Sequence, residues 1–160
     1  MRVAVVCGNP KPKSRTLEAG VFVASALAGH APDVVLDLVE IGAHLLGWGD
    51  EVATRAVAEV QRCDAAVFAS PTYKGTYTGL LKLFLDQVPT DGFDGLLAFP
   101  VMLGAAMSHA MAPDLLLKPV LVELGASCPA RGLYLLETDY LSEEVVGAWA
   151  QRARRFLPGD

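Results

Sequence analysis

Three stretches of this chain, Val3–Cys7, Ala65–Ala69 and Leu96–Leu103, are unbroken apolar runs. A strand that is apolar at every position has to be covered on both faces, as strands of parallel sheets are. Between these runs the apolar residues recur at helical spacing. Tyr77, Leu80, Leu81, Phe84, Leu85 and Val88 follow the i, i+3, i+4, i+7 rule, and Pro89 stops the pattern. Strands alternating with helices imply an α/β fold with helices on both sides of the sheet.

Read in this way, strands are predicted over Val3–Cys7, Val34–Ile41, Ala65–Ser70, Leu96–Leu103 and Ala130–Leu136. Helices are predicted over Thr16–Ala28, Glu51–Arg62, Tyr77–Val88, Ser142–Phe156 and within Met111–Leu124. Five such units predict a flavodoxin-like three-layer sandwich, with a five-stranded parallel sheet in the order 2-1-3-4-5. Pro100 lacks a ladder donor, so a bulge or a strand end is expected there. Pro119 cannot serve a helix interior, which predicts a kink near Leu115 or a later helix start.

The length of 160 residues is that of a single domain spanning 1–160. With 52% hydrophobic and 19% charged residues, disorder is excluded. No apolar run reaches the roughly 20 residues of a membrane span, so no membrane partner is expected. The N-terminus meets glycine and proline too soon for a secretory signal and reads as a first strand. Cys7, Cys63 and Cys128 match no metal or redox spacing, and reduced, buried cysteines point to the cytoplasm. A net charge of −5 argues against nucleic acid as a partner. Within this acidic chain, Lys11, Lys13 and Arg15 crowd one short window, a local positive spot suited to a phosphate.

In this topology the loops after strands one, three and four meet at the carboxyl edge of the sheet, where such folds bind ligands. The first, Gly8 to Thr16, opens a helix whose free N–H groups and dipole attract phosphate, and Ser14, Thr16, Arg15 and Lys11 add donors and charge. Neither Ser14 nor Thr16 has the partner of a capping box, so each is either a ligand donor or a helix cap. Asn9 suits a turn equally well. The second loop, Pro71-Thr72-Tyr73-Lys74-Gly75-Thr76, combines a stiff turn, a ring for packing and a glycine for close backbone approach. In the third, Gly104 allows close approach, Ala105 and Ala106 leave room over a ring, and His109 suits acid–base work, ligand binding or a helix start. Lys82 and Asp86 are spaced for an i, i+4 surface pair. Three such loops fit a long, flat, phosphorylated ligand, and flavin mononucleotide (FMN) is the natural choice.

Cys7 and the basic residues after it also echo the small cysteine phosphatases. In those, however, an arginine follows the cysteine by six positions; here Lys13 holds that place and Arg15 comes two later.

Gly8-Asn-Pro with Ser14-Arg15-Thr16, Ser70-Pro-Thr-Tyr-Lys-Gly75 with Gly79-Leu-Leu-Lys82, Phe84 to Pro89, and Leu116 to Leu121 together resemble the NADPH-dependent FMN reductase family. The nearest branch is the small FMN reductases that supply sulfonate-cleaving monooxygenases. The resemblance implies hydride transfer from NADPH or NADH to FMN, with no obligatory catalytic side chain. It also implies that Gly8, Asn9, Lys11, Ser14, Arg15 and Thr16 hold the FMN phosphate. Pro71, Thr72, Tyr73, Lys74 and Gly75, with Leu103, Gly104 and Ala105, would flank the ring. Family members assemble as homodimers or homotetramers, and a flavin-dependent monooxygenase is the implied partner. Leu115 stands where sulfonate-type members tend to carry a tyrosine, and Leu103-Gly104-Ala105 replaces their Thr-Gly-Gly. Those departures leave open a retained FMN that reduces a quinone-like acceptor. An FMN-binding electron carrier of the flavodoxin kind, using no pyridine nucleotide, is the rival reading.

Overall fold

The computed structural model describes residues 1–158. Five parallel strands, β1 (Val3–Cys7), β2 (Val34–Asp37), β3 (Ala65–Pro71), β4 (Leu97–Gly104) and β5 (Leu133–Leu136), form one sheet in the order β2-β1-β3-β4-β5. Every residue of β1 and β3 is buried, as a strand covered on both faces requires. Helices α1 (Arg15–Ala28) and α5 (Glu143–Ala153) bury Val23, Leu27, Val146 and Trp149 against one face. Helices α2 (Glu51–Gln61), α3 (Gly79–Asp86) and α4 (Lys118–Glu123) close the other, around Val57, Phe68, Leu81, Phe84 and Leu121.

Several boundaries differ from the sequence pattern, each for a local reason. The second strand stops at Asp37 instead of Ile41, and Leu38–Leu45 turns into 3₁₀ helix. Strand β2 lies at the sheet edge and its neighbour β1 ends at Cys7, opposite Asp37, so nothing remains for Leu38 to pair with. Helix α3 starts two residues after Tyr77 because Thr78 caps it, its hydroxyl accepting from Leu81 N–H at 3.1 Å. It ends at Asp86, short of Val88. The fifth strand is confined to Leu133–Leu136 rather than starting at Ala130. The last helix gives way to a 3₁₀ turn over Arg154–Phe156.

No bulge forms at Pro100: the β3–β4 register runs unbroken from Ala65↔Leu97 to Pro71↔Leu103. Leu97 N–H points to Asp64 and Ala98 N–H to Ser127 on the opposite side. By that alternation the Pro100 nitrogen faces the β5 side, where pairing begins only at Val101↔Leu133. The missing donor therefore costs nothing. Around Pro119 the helix is interrupted, as its sequence requires: Pro113–Leu117 forms a π-helical turn and α4 begins at Lys118. Lys118 then braces the approach to β5, donating to Ala130 O at 2.8 Å.

Candidate functional site at the carboxyl edge

The chain leaves β1 at Gly8, whose N–H donates to Ala69 O at 2.8 Å. A Cβ on Gly8 would sit 2.5 Å from the Leu81 Cβ, so only glycine lets this loop lie against α3. Thr78 clamps the junction: its hydroxyl donates to Gly8 O and its N–H to Ser70 Oγ. Loops one and two are thus pinned to the same helix start. The sequence pattern placed Thr78 inside a helix and missed this clamp.

Beyond Gly8 the polar groups organise one another. Asn9 is a turn residue, its side chain accepting from Lys11 N–H at 2.9 Å and donating to Thr16 Oγ1 at 2.9 Å. With that acceptor position filled, the Thr16 hydroxyl proton is free to point at a ligand. Ser14 is the helix cap of the two alternatives, its Oγ accepting from Leu17 N–H at 3.2 Å. Lys13 takes a left-handed backbone, φ 49, held by its N–H bond to Asp37 Oδ2 at 3.0 Å. Burial pushes the Asp37 carboxyl above its usual range, and its second oxygen has no hydrogen-bond partner among the described residues. At the start of α1 the N–H groups of Arg15 and Thr16 lie in the first turn, where no intrahelical acceptor exists.

These groups line a cavity of about 220 Å³ with Pro71, Tyr73 and Leu103 of the two neighbouring loops. Of the residues singled out from sequence, Asn9, Lys11, Ser14, Arg15, Thr16, Pro71, Tyr73 and Leu103 meet there. Lys13, the third member of the basic window, joins them, and the cavity adds one residue that sequence did not select, Glu137. Glu137 pairs with Arg15, Oε2 to the guanidinium at 3.0 Å. Its only sequence signal is its place directly after β5, on the same sheet edge.

The remaining residues stand elsewhere. Gly8 serves packing, as above. Gly104 ends β4 against Tyr134, whose hydroxyl would clash with a Cβ there, so the missing side chain makes room for the tyrosine. Thr72 donates its N–H to Leu103 O at 2.7 Å, and its buried hydroxyl has no partner among the described residues. Lys74 and Gly75, with φ 53 and 84, form a two-residue hairpin turn between Tyr73 and Thr76, each of which donates to the other's carbonyl. The turn projects beside the cavity, next to His109, with Gly75 3.6 Å from the His109 Nε2 when a Cβ is placed on it. Ala105 through His109 are exposed. His109 ends a 3₁₀ turn rather than opening a helix. Lys82 and Asp86 form their surface pair at 2.6 Å.

Cys7 does not support phosphatase chemistry. Its side chain is fully buried, and burial pushes the thiol up to about 11, whereas a nucleophilic cysteine needs an exposed thiolate.

Free helix N–H groups, an oriented hydroxyl and three cationic side chains form a donor set for a phosphate monoester, with an apolar wall beside it. The fold is that of a flavodoxin-like α/β protein, with this donor-lined cavity at the carboxyl edge of its sheet. Within that class the chain belongs to the NADPH-dependent FMN reductase family, whose sequence profile matches residues 1–140. It is 30% identical over 138 residues to an FMN reductase (NADPH) of Escherichia coli, covering 84% of this chain and 72% of that one. It is likewise 30% identical over 156 residues to the NADH-dependent FMN reductase SfnF of Pseudomonas fluorescens, covering 91% and 81%. The fold matches the apo form of an NADH:FMN oxidoreductase (EMOB) with TM-score 0.84 and 24% identity, over 99% of this chain and 91% of that one. Among the described residues, no helix is long and apolar enough to cross a membrane.

Proposed function

We propose that this protein is an NAD(P)H-dependent FMN reductase, with its flavin site at the carboxyl edge of the sheet. The observation that carries the assignment is the cavity of about 220 Å³ where helix-start donors meet the walls of loops two and three. FMN fits this donor set: the phosphate takes the Arg15 and Thr16 N–H groups, the Thr16 hydroxyl and the cationic side chains of Lys11 and Lys13. Pro71, Tyr73 and Leu103 offer the apolar surface that an isoalloxazine needs. When bound, the flavin supplies the redox chemistry, accepting a hydride from the reduced nicotinamide at its N5.

The chain's own residues bind and orient. In the hairpin turn, Tyr73 and Thr76 satisfy each other, which leaves the N–H groups of Lys74 and Gly75 to donate to a ring edge. Tyr73, half exposed, remains available for contact with one face of the ring or with the incoming nicotinamide. No proton-relay side chain is required for hydride transfer itself. The relatives named for NADPH and for NADH leave both nucleotides as donors here.

The chain acts as one FMN-binding domain in this reading, in the cytoplasm, where its free cysteines stay reduced. Exposed Leu115, Leu116 and Val122 supply an apolar face for a homodimer or homotetramer. Reduced flavin then passes to a monooxygenase partner or to a quinone-like acceptor. Steady-state oxidation of NADPH and of NADH under air, with and without added FMN, tests the assignment. FMN-dependent consumption of nucleotide is expected. FMN binding with no consumption would leave a flavodoxin-like carrier in its place.

A further inference from the structure

We propose that Glu137 is an internal anion that competes with the flavin phosphate for Arg15, and so sets how long FMN stays bound. The inference rests on the FMN reading above. Directly after β5, Glu137 is fixed by its N–H bond to Gly104 O at 3.0 Å. Its carboxylate lines the same cavity as Lys11, Lys13 and Arg15. The Arg15 guanidinium is engaged twice, at 3.0 Å by Glu137 Oε2 and at 3.1 Å by the Glu137 carbonyl. A carboxylate offers a guanidinium the same kind of oxygen pair as a phosphate does, so it occupies the cation that a phosphate would recruit.

Fold stability does not account for this pair. The two side chains are 57% and 36% exposed, and ion pairs so open to water contribute little. Neither of the other carboxylates near the loop lines this cavity: Asp37 is buried and holds Lys13 N–H, and Glu18 accepts from the Tyr140 hydroxyl at 2.7 Å. Glu137 is therefore the negative group that an entering dianion meets. Arg15 must either swing to the phosphate and leave Glu137 unpaired, or stay and leave the phosphate with fewer partners. Both routes weaken retention of FMN. Neither touches a flavin without a phosphate, which makes riboflavin the internal control.

The test is titration of wild type and Glu137→Gln with FMN and with riboflavin, followed by flavin fluorescence. Glutamine keeps the size of the side chain and an oxygen for Arg15 but removes the charge. FMN should bind Glu137→Gln roughly three- to tenfold more tightly, with the gain in slower release. The gain should shrink as salt is added, and riboflavin binding should not change. Unchanged or weaker FMN binding would overturn the proposal, since the carboxylate would then brace Arg15 toward the phosphate. So would an equal shift of FMN and riboflavin. Wild type that binds FMN no better than riboflavin would instead refute the phosphate site itself, and the inference with it.

Discussion

The loop after β1 and the loop after β4 lie on the same sheet edge but are built in opposite ways. From Gly8 to Leu17 the polar groups are committed: Gly8 N–H to Ala69, Asn9 to both Lys11 and Thr16, Lys13 to Asp37, Leu17 to Ser14. From Ala105 to His109 the chain is exposed, and one side-chain bond, Tyr134 hydroxyl to Ala106 O at 3.0 Å, holds it down. A donor set fixed before the ligand arrives avoids the ordering cost of binding. A loosely held loop pays that cost and adapts its shape. In the proposed reading, the first loop would meet the constant phosphate and the third whatever approaches the ring.

The harshest way to break this contrast is Gly8→Ala. Its Cβ meets Leu81 Cβ at 2.5 Å, with both atoms rooted in backbone. Overpacking of this kind should cost about 2–3 kcal/mol and abolish FMN binding, measured by denaturant unfolding and flavin titration. Wild-type stability would show that loop one is not pinned to α3. Next in size is Thr16→Ala, which removes a donor and the Asn9 tether together. FMN affinity should fall about tenfold, or ~1.4 kcal/mol, with riboflavin unaffected and Thr16→Ser close to wild type.

Tyr134→Phe acts only on the other loop. Loss of its bond to Ala106 O should cost about 0.5–1.5 kcal/mol of stability and alter the rate of nicotinamide oxidation, while FMN affinity stays as in wild type. A matching loss of FMN affinity would mean that the two loops act as one unit. A further test, read from pH instead of from a substitution, concerns Cys7, the last residue of β1 before this loop. Burial raises its thiol from 9.0 to about 11 in the folded protein. The folded state therefore keeps this proton after the unfolded chain has lost it, so stability should fall as pH rises from about 9 to 11. Near neutral pH Cys7 should resist alkylation unless the protein is unfolded; fast labelling of the native protein would contradict its burial.

The same contrast explains what could be read from sequence. Sheet order was legible because β1 is apolar throughout and β3 from Ala65 to Ala69, a pattern that few other folds allow. The first wall of the cavity was largely legible too, since Asn9, Lys11, Ser14, Arg15 and Thr16 lie close together in one loop. Glu137 was not, because its link to Arg15 spans 122 positions and carries no motif. The Thr78 clamp was hidden likewise, 70 positions from Gly8. The packing of Gly104 was hidden as well: its missing side chain makes room for Tyr134, 30 positions on. Leu38, Val39 and Ile41 read as strand, and only the end of β1 at Cys7 shows why they are not.

The most direct test of the account is an anaerobic single turnover, in which the protein loaded with FMN is mixed rapidly with NADPH or NADH and the flavin absorbance is followed. The account predicts bleaching of the oxidised flavin together with loss of the reduced nicotinamide, one for one and far faster than in free solution. Flavin that stays oxidised, or bleaches no faster than free FMN, would contradict it.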